Sequence, residues 1–299
     1  MTFWLGSAAL GTAVAAAPAP QQLFRSPEQA VDALVEANRD NRVAVLSRIL
    51  GPAGSQLIHS GDPVADRSGR AHFVAAYDAA HRIELESADK AVLIVGTEDW
   101  PLPIPLVRNH SGWRFDTPAG EREILDRRIG RNELNVIEVC RTFVQAQREF
   151  AALQAASGAR AEFAQHFMSR RGRHDGLYWP TAADEPESPL GPLLAQARAA
   201  GYATEPAHGK SVPYHGYYYR MLTGQGSHAP GGARNYIVDG HMSGGFALLA
   251  YPAIYGDSGI MTFIVDQDGI VYQKNLGPDT ARNAPRITRY DPDPSWHAP

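Results

Sequence analysis

The feature that most constrains the fold is that helical and strand-like periodicities occupy separate stretches of the chain. Apolar residues recur at helical spacing over residues 26–80, where Ser26-Pro27 and Asp62-Pro63 predict helix starts. They recur again over residues 121–156, where we predict a break in the helix near Gly130. Apolar and polar positions alternate within residues 83–116, and residues 214–272 contain several β-rich runs separated by Gly-rich turns. A parallel βαβ sheet needs strands and helices that alternate along the chain, and this chain does not show such alternation. We predict an α+β fold with N-terminal helices plus a curved antiparallel sheet, central helices, and a C-terminal β-rich antiparallel sheet region.

The changes in pattern also predict the domain organisation. A chain of 299 residues, 44% hydrophobic and 20% charged, can bury ordinary cores without metals or disulfides. The predicted segments are a signal peptide over residues 1–19, an N-terminal α+β domain over 20–120, a helical and loop-rich connector over 121–200, and a C-terminal antiparallel β-rich domain over 201–299.

The start of the chain is typical of a signal peptide. Residues 3–17 carry no charge and end in three alanines, as an apolar core and cleavage site do. Pro18 hinders cleavage after Ala17, so Ala19 is a second cleavage position. The alternative is a membrane anchor that stays attached, although a spanning helix needs about 20 apolar residues. We predict a periplasmic or secreted protein with no stable membrane span after signal cleavage.

Overall charge excludes one class of partner. The chain has 28 Lys and Arg residues against 32 Asp and Glu residues, and its net charge is −4. Proteins that bind nucleic acids usually carry a basic stripe or patch. We therefore predict no nucleic-acid partner.

Three prolines alternate with apolar residues over residues 101–106. In an extended strand the three missing N–H groups would all point to one edge, which could then not pair. We predict an edge strand, and the alternative is a polyproline-type ligand loop.

The sequence Gly256-Asp257-Ser258-Gly259 matches the residues around the nucleophile of chymotrypsin-like proteases. That chemistry needs a His base and an Asp that orients it, and no segment resembles the corresponding His motif. We predict an ordinary turn and a Ser258 that is not catalytic.

The single cysteine falls on a helical pattern with Leu134, Ile137 and Val144. This placement predicts that Cys140 is a buried, inert thiol rather than a nucleophile.

No metal or cofactor motif is present. The eleven histidines include no H-E-x-x-H spacing, and Asp266-Gln267-Asp268-Gly269 lacks the other ligands of a calcium loop. The Asp268-Gly269 pair between β-branched runs predicts a hairpin instead. We predict no metal site and no cofactor.

Aromatic residues are concentrated in two places, and we predict that they bind a ligand. The candidate binding residues are Tyr178, Trp179, His215, Tyr217 and Tyr219. Aromatic rings with polar tips give apolar contact area and one hydrogen bond each. The alternative is core packing of a half-buried sheet. On a strand, Tyr217 and Tyr219 would share one face, and Tyr218 would point to the other.

Five separated stretches carry a family resemblance. They are residues 100–106, 127–134, 175–179, 214–218 and 259–265. Together they resemble the bacterial family called domain of unknown function 2950, over roughly residues 26–296. The resemblance implies export, but this functionally uncharacterised family offers no catalytic residues to transfer. More weakly, the first half is similar to the nuclear transport factor two-like cone, and the last third to the globular part of prepilin-like proteins.

These observations predict an exported envelope protein without enzymatic activity that binds a small ligand or an envelope protein. One alternative is an envelope hydrolase that uses Asp175, His174 or His215 as acid or base. Another is a structural component of a surface assembly, as the prepilin-like similarity suggests.

Overall fold

A computed structural model describes residues 20–158, 160–182, 186–202 and 212–299. The predicted signal peptide, residues 1–19, lies outside this part of the chain. The described helices are α1 (Pro27–Arg39), α2 (Val43–Leu50), α3 (Ser55–Ile58), α4 (Pro63–Ala79), α5 (Thr117–Ala156), α6 (Gly191–Ala199) and α7 (Thr280–Asn283). The strands are β1 (His81–Ser87), β2 (Lys90–Val95), β3 (Trp100–Pro101), β4 (Leu106–Asn109), β5 (Gly112–Phe115), β6 (Tyr217–Leu222), β7 (Gly224–Gln225), β8 (Arg234–Asn235), β9 (Ile237–Val238), β10 (His241–Met242), β11 (Ala247–Pro252), β12 (Met261–Asp266) and β13 (Tyr272–Asn275). The fold is α+β, as predicted.

The N-terminal core lies between helices α1, α2 and α4 and an antiparallel sheet of order β1-β2-β4-β5, in which β3 also pairs with β2. Helix α1 begins as predicted, because the Ser26 hydroxyl accepts a hydrogen bond from the Gln29 N–H at 3.3 Å and Pro27 occupies the first turn. Val31, Leu34 and Val35 of this helix are buried in the core. This burial of one apolar stripe is what the helical spacing predicted.

The proline-rich segment does not form the predicted edge strand. Only its first proline, Pro101, pairs with β2, and regular pairing resumes at Leu106, which also faces β2. The chain is irregular between these points because Pro103 and Pro105 have no N–H to donate to a ladder. The predicted apolar face is nevertheless buried, with Leu102, Ile104 and Leu106 in the core.

The C-terminal core surrounds a second antiparallel sheet, of order β13-β12-β11-β6. The predicted hairpin at Asp268-Gly269 is confirmed, since it connects β12 to β13. The Gly269 N–H donates to the Asp266 carbonyl at 3.0 Å, and Gly269 has φ +81°, a conformation that favours glycine. Strand β6 stands at one end of this sheet, and so one of its edges has no strand partner.

Helix α5 is continuous over 40 residues, so the predicted break near Gly130 is wrong. An exposed glycine in a helix costs only about 0.5–1 kcal/mol relative to alanine, which packing elsewhere along the helix offsets. Leu134 was also misplaced, because it is 69% exposed whereas Cys140 and Val144 are buried. Steps of three residues fall about 60° short of a full turn each time, so a stripe built from them rotates off the buried face.

Helix α5 belongs to both cores. Near its start, the Thr117 hydroxyl donates to the Leu50 carbonyl at 2.7 Å, and the Arg127 guanidinium lies 5.4 Å from the centre of the Trp100 ring. Further along, Phe143 and Phe150 are buried in the C-terminal core. At 1.5 Å per residue the helix is about 60 Å long. None of the described helices combines the length and apolar character that crossing a membrane requires.

Candidate functional site

An apolar cavity of about 270 Å³ opens beside the unpaired edge of β6. Its walls come from α5, α6, the turn before β6 and β6 itself. The side chains that line it include Phe143, Leu194, Ala197, Tyr202, Tyr214, Tyr218 and Tyr219. We refer to it as the β6 cavity.

A tight turn places Tyr214 beside β6. The N–H of Tyr214 donates to the Tyr217 carbonyl at 2.9 Å, and the N–H of Tyr217 donates to the Tyr214 carbonyl at 3.1 Å. The two residues between them, His215 and Gly216, have φ +50° and +75°. Positive φ at both central residues is the geometry of a type I′ hairpin turn. The chain therefore folds back on itself and brings the Tyr214 ring to the mouth of the cavity.

Asp62 connects this turn to the N-terminal region. Its fully buried carboxylate caps α4, where one oxygen accepts hydrogen bonds from the Val64 and Ala65 N–H groups at 3.1 and 3.0 Å. The other oxygen accepts from the Tyr202 hydroxyl at 2.8 Å and from the Gly216 N–H at 3.0 Å. A carboxylate with four such donors is well satisfied despite its burial. Asp62 thus fixes two parts of the cavity wall from outside the cavity.

The two strand tyrosines of the predicted site differ in exposure. Tyr219 is half-buried and lines the cavity, and its hydroxyl donates to the Tyr214 carbonyl at 3.3 Å. Burial raises its pKa well above the usual value. Tyr217 is 0% exposed, donates to the Met261 carbonyl at 3.0 Å and packs on Phe263. Tyr217 therefore belongs to the core, and the proposal below does not include it.

The other three predicted residues lie around the cavity rather than in it. Tyr178 is buried, with the Arg198 guanidinium 5.2 Å from its ring centre. Trp179 stacks on His174 at 4.4 Å between ring centres. His215 lies next to the Tyr214 ring, with 4.1 Å between ring centres, and burial lowers its pKa. The structure brings His215 close to Tyr219 through Tyr214, whereas Tyr178 and Trp179 do not line the β6 cavity.

The groups considered for a hydrolase do not converge in the part of the chain that the structure describes. The Asp175 carboxylate accepts hydrogen bonds from the Arg170 N–H at 2.9 Å and from its guanidinium at 2.5 Å. Burial alone would raise the pKa of Asp175, but these contacts outweigh it and lower the pKa. His174 stacks on Trp179, while the Asn135 amide nitrogen lies 3.4 Å from Nδ1 of His215. No described hydrogen bond joins these three groups.

The segment around Ser258 is a turn, as predicted, and α5 holds it in place. Asp257 forms an ion pair with Arg128, and the Asn132 amide donates to the Ser258 carbonyl at 2.8 Å. Glu133 accepts from the N–H groups of Ile260 and Met261, both at 2.9 Å. The Ser258 hydroxyl is fully buried and accepts from the Ile254 N–H at 2.9 Å. Its contacts are thus those of a turn-stabilising side chain.

Two further sequence predictions concern reactive groups. Cys140 is buried, as predicted, and burial raises the pKa of its thiol to about 12. Such a thiol carries almost no thiolate near neutral pH. Within the described ranges, no three His, Cys, Asp or Glu side chains lie close enough together to hold a metal ion.

Sequence reasoning missed several residues of the cavity, above all Tyr202, Tyr214 and Tyr218. Tyr218 was expected to face away from Tyr219, yet both reach the cavity because β6 has a free edge around which side chains of either face can pack. A signal for Tyr214 was available, since a His-Gly pair before a strand is compatible with a turn that needs positive φ. Nothing local in the sequence marks Tyr202.

Comparison with known proteins gives the family of the chain. No curated protein and no solved structure matches it, and the two weaker fold similarities stay predictions. A family model described as protein of unknown function (DUF2950) matches residues 21–298. Since this match covers nearly the whole chain, the protein belongs to the DUF2950 family.

Proposed function

We propose that the protein is an exported envelope protein that binds a small, largely apolar ligand in the β6 cavity. The observation that carries this proposal is the cavity itself, about 270 Å³ in volume and lined by aliphatic and aromatic side chains. Small-molecule sites are typically concave and mostly apolar, with few polar groups. Its volume lies just below the usual range of about 300–1,000 Å³, as a site for a small ligand would.

The walls of the cavity are held by contacts that do not involve a ligand. The turn that carries Tyr214 is closed by two backbone hydrogen bonds, and Asp62 fixes Tyr202 and Gly216. Protein interiors are otherwise packed with few voids larger than a water molecule. A site whose walls are fixed in advance loses little conformational entropy on binding, which favours affinity.

The chemistry of the lining supports binding rather than catalysis. Its polar side chains among the described residues are the phenols of Tyr202, Tyr214, Tyr218 and Tyr219. General acid–base and nucleophilic catalysis mostly use imidazole, carboxylate, amine or thiol groups. The proposal therefore assigns no reaction to this site.

Binding can be tested with 1-aminonaphthalene, a small dye that is uncharged at neutral pH and whose emission shifts to shorter wavelengths in apolar surroundings. Ala197 lines the cavity on α6, so Ala197→Phe should fill part of it and weaken dye binding at least about tenfold. Ala195→Phe is the matched control, because Ala195 lies on the exposed side of the same helix. Equal binding by both variants, or no saturable binding by the wild type, would contradict the proposal.

Export rests on the uncharged start of the chain and on its three alanines before Pro18. Fractionation of the native host followed by N-terminal sequencing tests it. We expect the protein outside the cytoplasm with residues 1–17 or 1–19 removed. A cytoplasmic protein that retains Phe3 would rule export out.

A further inference from the structure

The lining of the β6 cavity restricts which ligand could enter. None of the described residues that line it carries a charge. Burying an unpaired carboxylate or ammonium group costs several kcal/mol or more, and here no opposite charge in the lining could offset that cost. An anion would also be repelled by the Asp62 carboxylate, which lies behind Tyr202. The described lining therefore favours a neutral ligand over an ion.

The volume of the cavity sets the size of the ligand. A water molecule occupies about 30 Å³ of liquid volume, so a cavity of about 270 Å³ has room for about nine groups of that size. A single unbranched chain or one aromatic ring with a short substituent fits this volume.

Two hydroxyl groups remain for the ligand. Of the four phenols in the lining, Tyr202 donates to Asp62 and Tyr219 donates to the Tyr214 carbonyl. The hydroxyls of Tyr214 and Tyr218 have no hydrogen-bond partner among the described residues. Burial raises the pKa of Tyr214, so its phenol stays protonated and can donate near neutral pH. Both rings lie at the β6 side of the cavity, so the hydrogen-bonding end of a ligand would point there.

We infer that the cavity takes a neutral amphiphile, with an alkyl or aryl body of about eight to ten non-hydrogen atoms and one polar group that accepts a hydrogen bond from Tyr214 or Tyr218. This inference rests on the proposed function, since it specifies the ligand of the same cavity. The body contacts Phe143 and Leu194, and the polar group lies beside the two phenols.

The test compares 1-octanol with octanoate and octylamine by calorimetric titration at pH 7.4, where only the alcohol is uncharged. Octanol should bind at least about tenfold more tightly than either ion, because neither ion finds an opposite charge. Replacing both phenols, Tyr214→Phe with Tyr218→Phe, should weaken octanol binding roughly three- to tenfold, the effect of losing one hydrogen bond. Dye binding should stay unchanged in this variant, because its apolar contacts remain.

Tyr77→Phe is the control, since Tyr77 is a half-buried tyrosine of the N-terminal core and should not affect either ligand. The single variant Tyr218→Phe serves if the double variant does not fold. The inference would be overturned if octanoate or octylamine bound as tightly as octanol, or if the phenylalanine variants bound octanol normally. In either case, dye binding would still support the proposed function. If neither the dye nor octanol binds, both proposals are wrong.

Discussion

The two large sheets differ in how many of their faces are covered, and this difference explains where the cavity formed. In the N-terminal sheet, strand β1 is mostly exposed and carries charged residues, and its Leu85 is 67% exposed. In the C-terminal sheet, the two central strands, β11 and β12, are buried along most of their length. Their sequences are continuous apolar runs, whereas β1 alternates apolar and charged residues. Continuous runs are typical of strands covered on both faces.

When both faces of a sheet are covered, polar atoms on its strands can be buried without a hydrogen-bond partner. On β12, the Thr262 hydroxyl and one oxygen of Asp266 are buried without a hydrogen-bond partner among the described residues. The end strand of this sheet, β6, is half-buried along its middle and buried at both ends, and its residues Tyr218 and Tyr219 line the cavity. A charged, exposed edge such as β1 resists pairing with other chains, while a covered edge such as β6 can line a binding site.

The largest expected effect comes from the buried tyrosine of β6. Tyr217→Ala should lower the free energy of unfolding by about 3–5 kcal/mol, the range for deleting a large buried aromatic side chain. Chemical denaturation of the variant measures this loss. A loss below about 1 kcal/mol would mean that β6 is as loosely covered as β1, and the comparison between the sheets would not hold.

The next expected effect concerns Arg128, whose contacts connect the N-terminal and C-terminal regions. Arg128 of α5 donates to the Gln56 and Leu57 carbonyls of the N-terminal region and pairs with Asp257 of the C-terminal region. Arg128→Met would leave the Asp257 side chain, which is 3% exposed, without its partner, and should cost about 3 kcal/mol. The double variant with Asp257→Leu should recover part of that loss. If the single variant has the same free energy of unfolding as the wild type, the contacts of Arg128 contribute nothing to stability.

A smaller, pH-dependent effect is expected at Asp266, which is 1% exposed. Burial raises the pKa of Asp266 from 3.8 to about 6. The folded protein therefore binds this proton more tightly than the unfolded chain does, and the stability from this group is present below about pH 4 and lost as pH rises through 6. A shift of about two units corresponds to roughly 3 kcal/mol as an upper bound.

Asp266→Asn removes the buried charge and can keep the hydrogen bond from the Asp268 N–H, but its NH2 group has no described partner. We therefore expect a gain of about 1–2 kcal/mol at pH 7.5 that disappears at pH 4.5. Urea denaturation at both pH values measures it. Glu138→Gln is the control, because the Glu138 side chain is 70% exposed. A gain that does not change with pH would show that Asp266 is not the titrating group.

The smallest effect is expected on β1. Leu85→Ala should change the free energy of unfolding by less than about 0.5 kcal/mol, since the side chain is largely exposed. The same denaturation experiment used for Tyr217→Ala applies. A loss of 2 kcal/mol or more would mean that another surface covers β1 in solution.

Sequence reasoning succeeded where the signal is local. The Ser26-Pro27 helix start, the Asp62-Pro63 helix start and the Asp268-Gly269 hairpin each depend on a few neighbouring residues, and the structure has all three. It was less successful where distant contacts decide the outcome. Helix α5, which packs in a core at each end, continues through Gly130. In the proline-rich segment, only the two ends pair with β2.

The candidate site shows the same limit. Tyr219 was identified from strand alternation and composition, but the cavity also needs Phe143 of α5, Leu194 of α6 and Tyr202. These residues come from three separate parts of the chain, and no spacing rule predicts their convergence. Asp62-Pro63 was predicted to start a helix, yet the hydrogen bonds that Asp62 accepts from Tyr202 and Gly216 exist only in the folded chain.

The length and continuity of α5 also limit which changes in the chain the protein can accept. Each residue inserted into a helix turns everything beyond it by about 100° and shifts it by about 1.5 Å. An insertion between Gly120, which packs against Pro103, and Val136, which is buried in the other core, would therefore rotate one half of the protein relative to the other. Loops such as the one after Asn109 can absorb changes in length, but this part of α5 cannot. The number of residues in this segment therefore fixes how the two cores are oriented relative to each other.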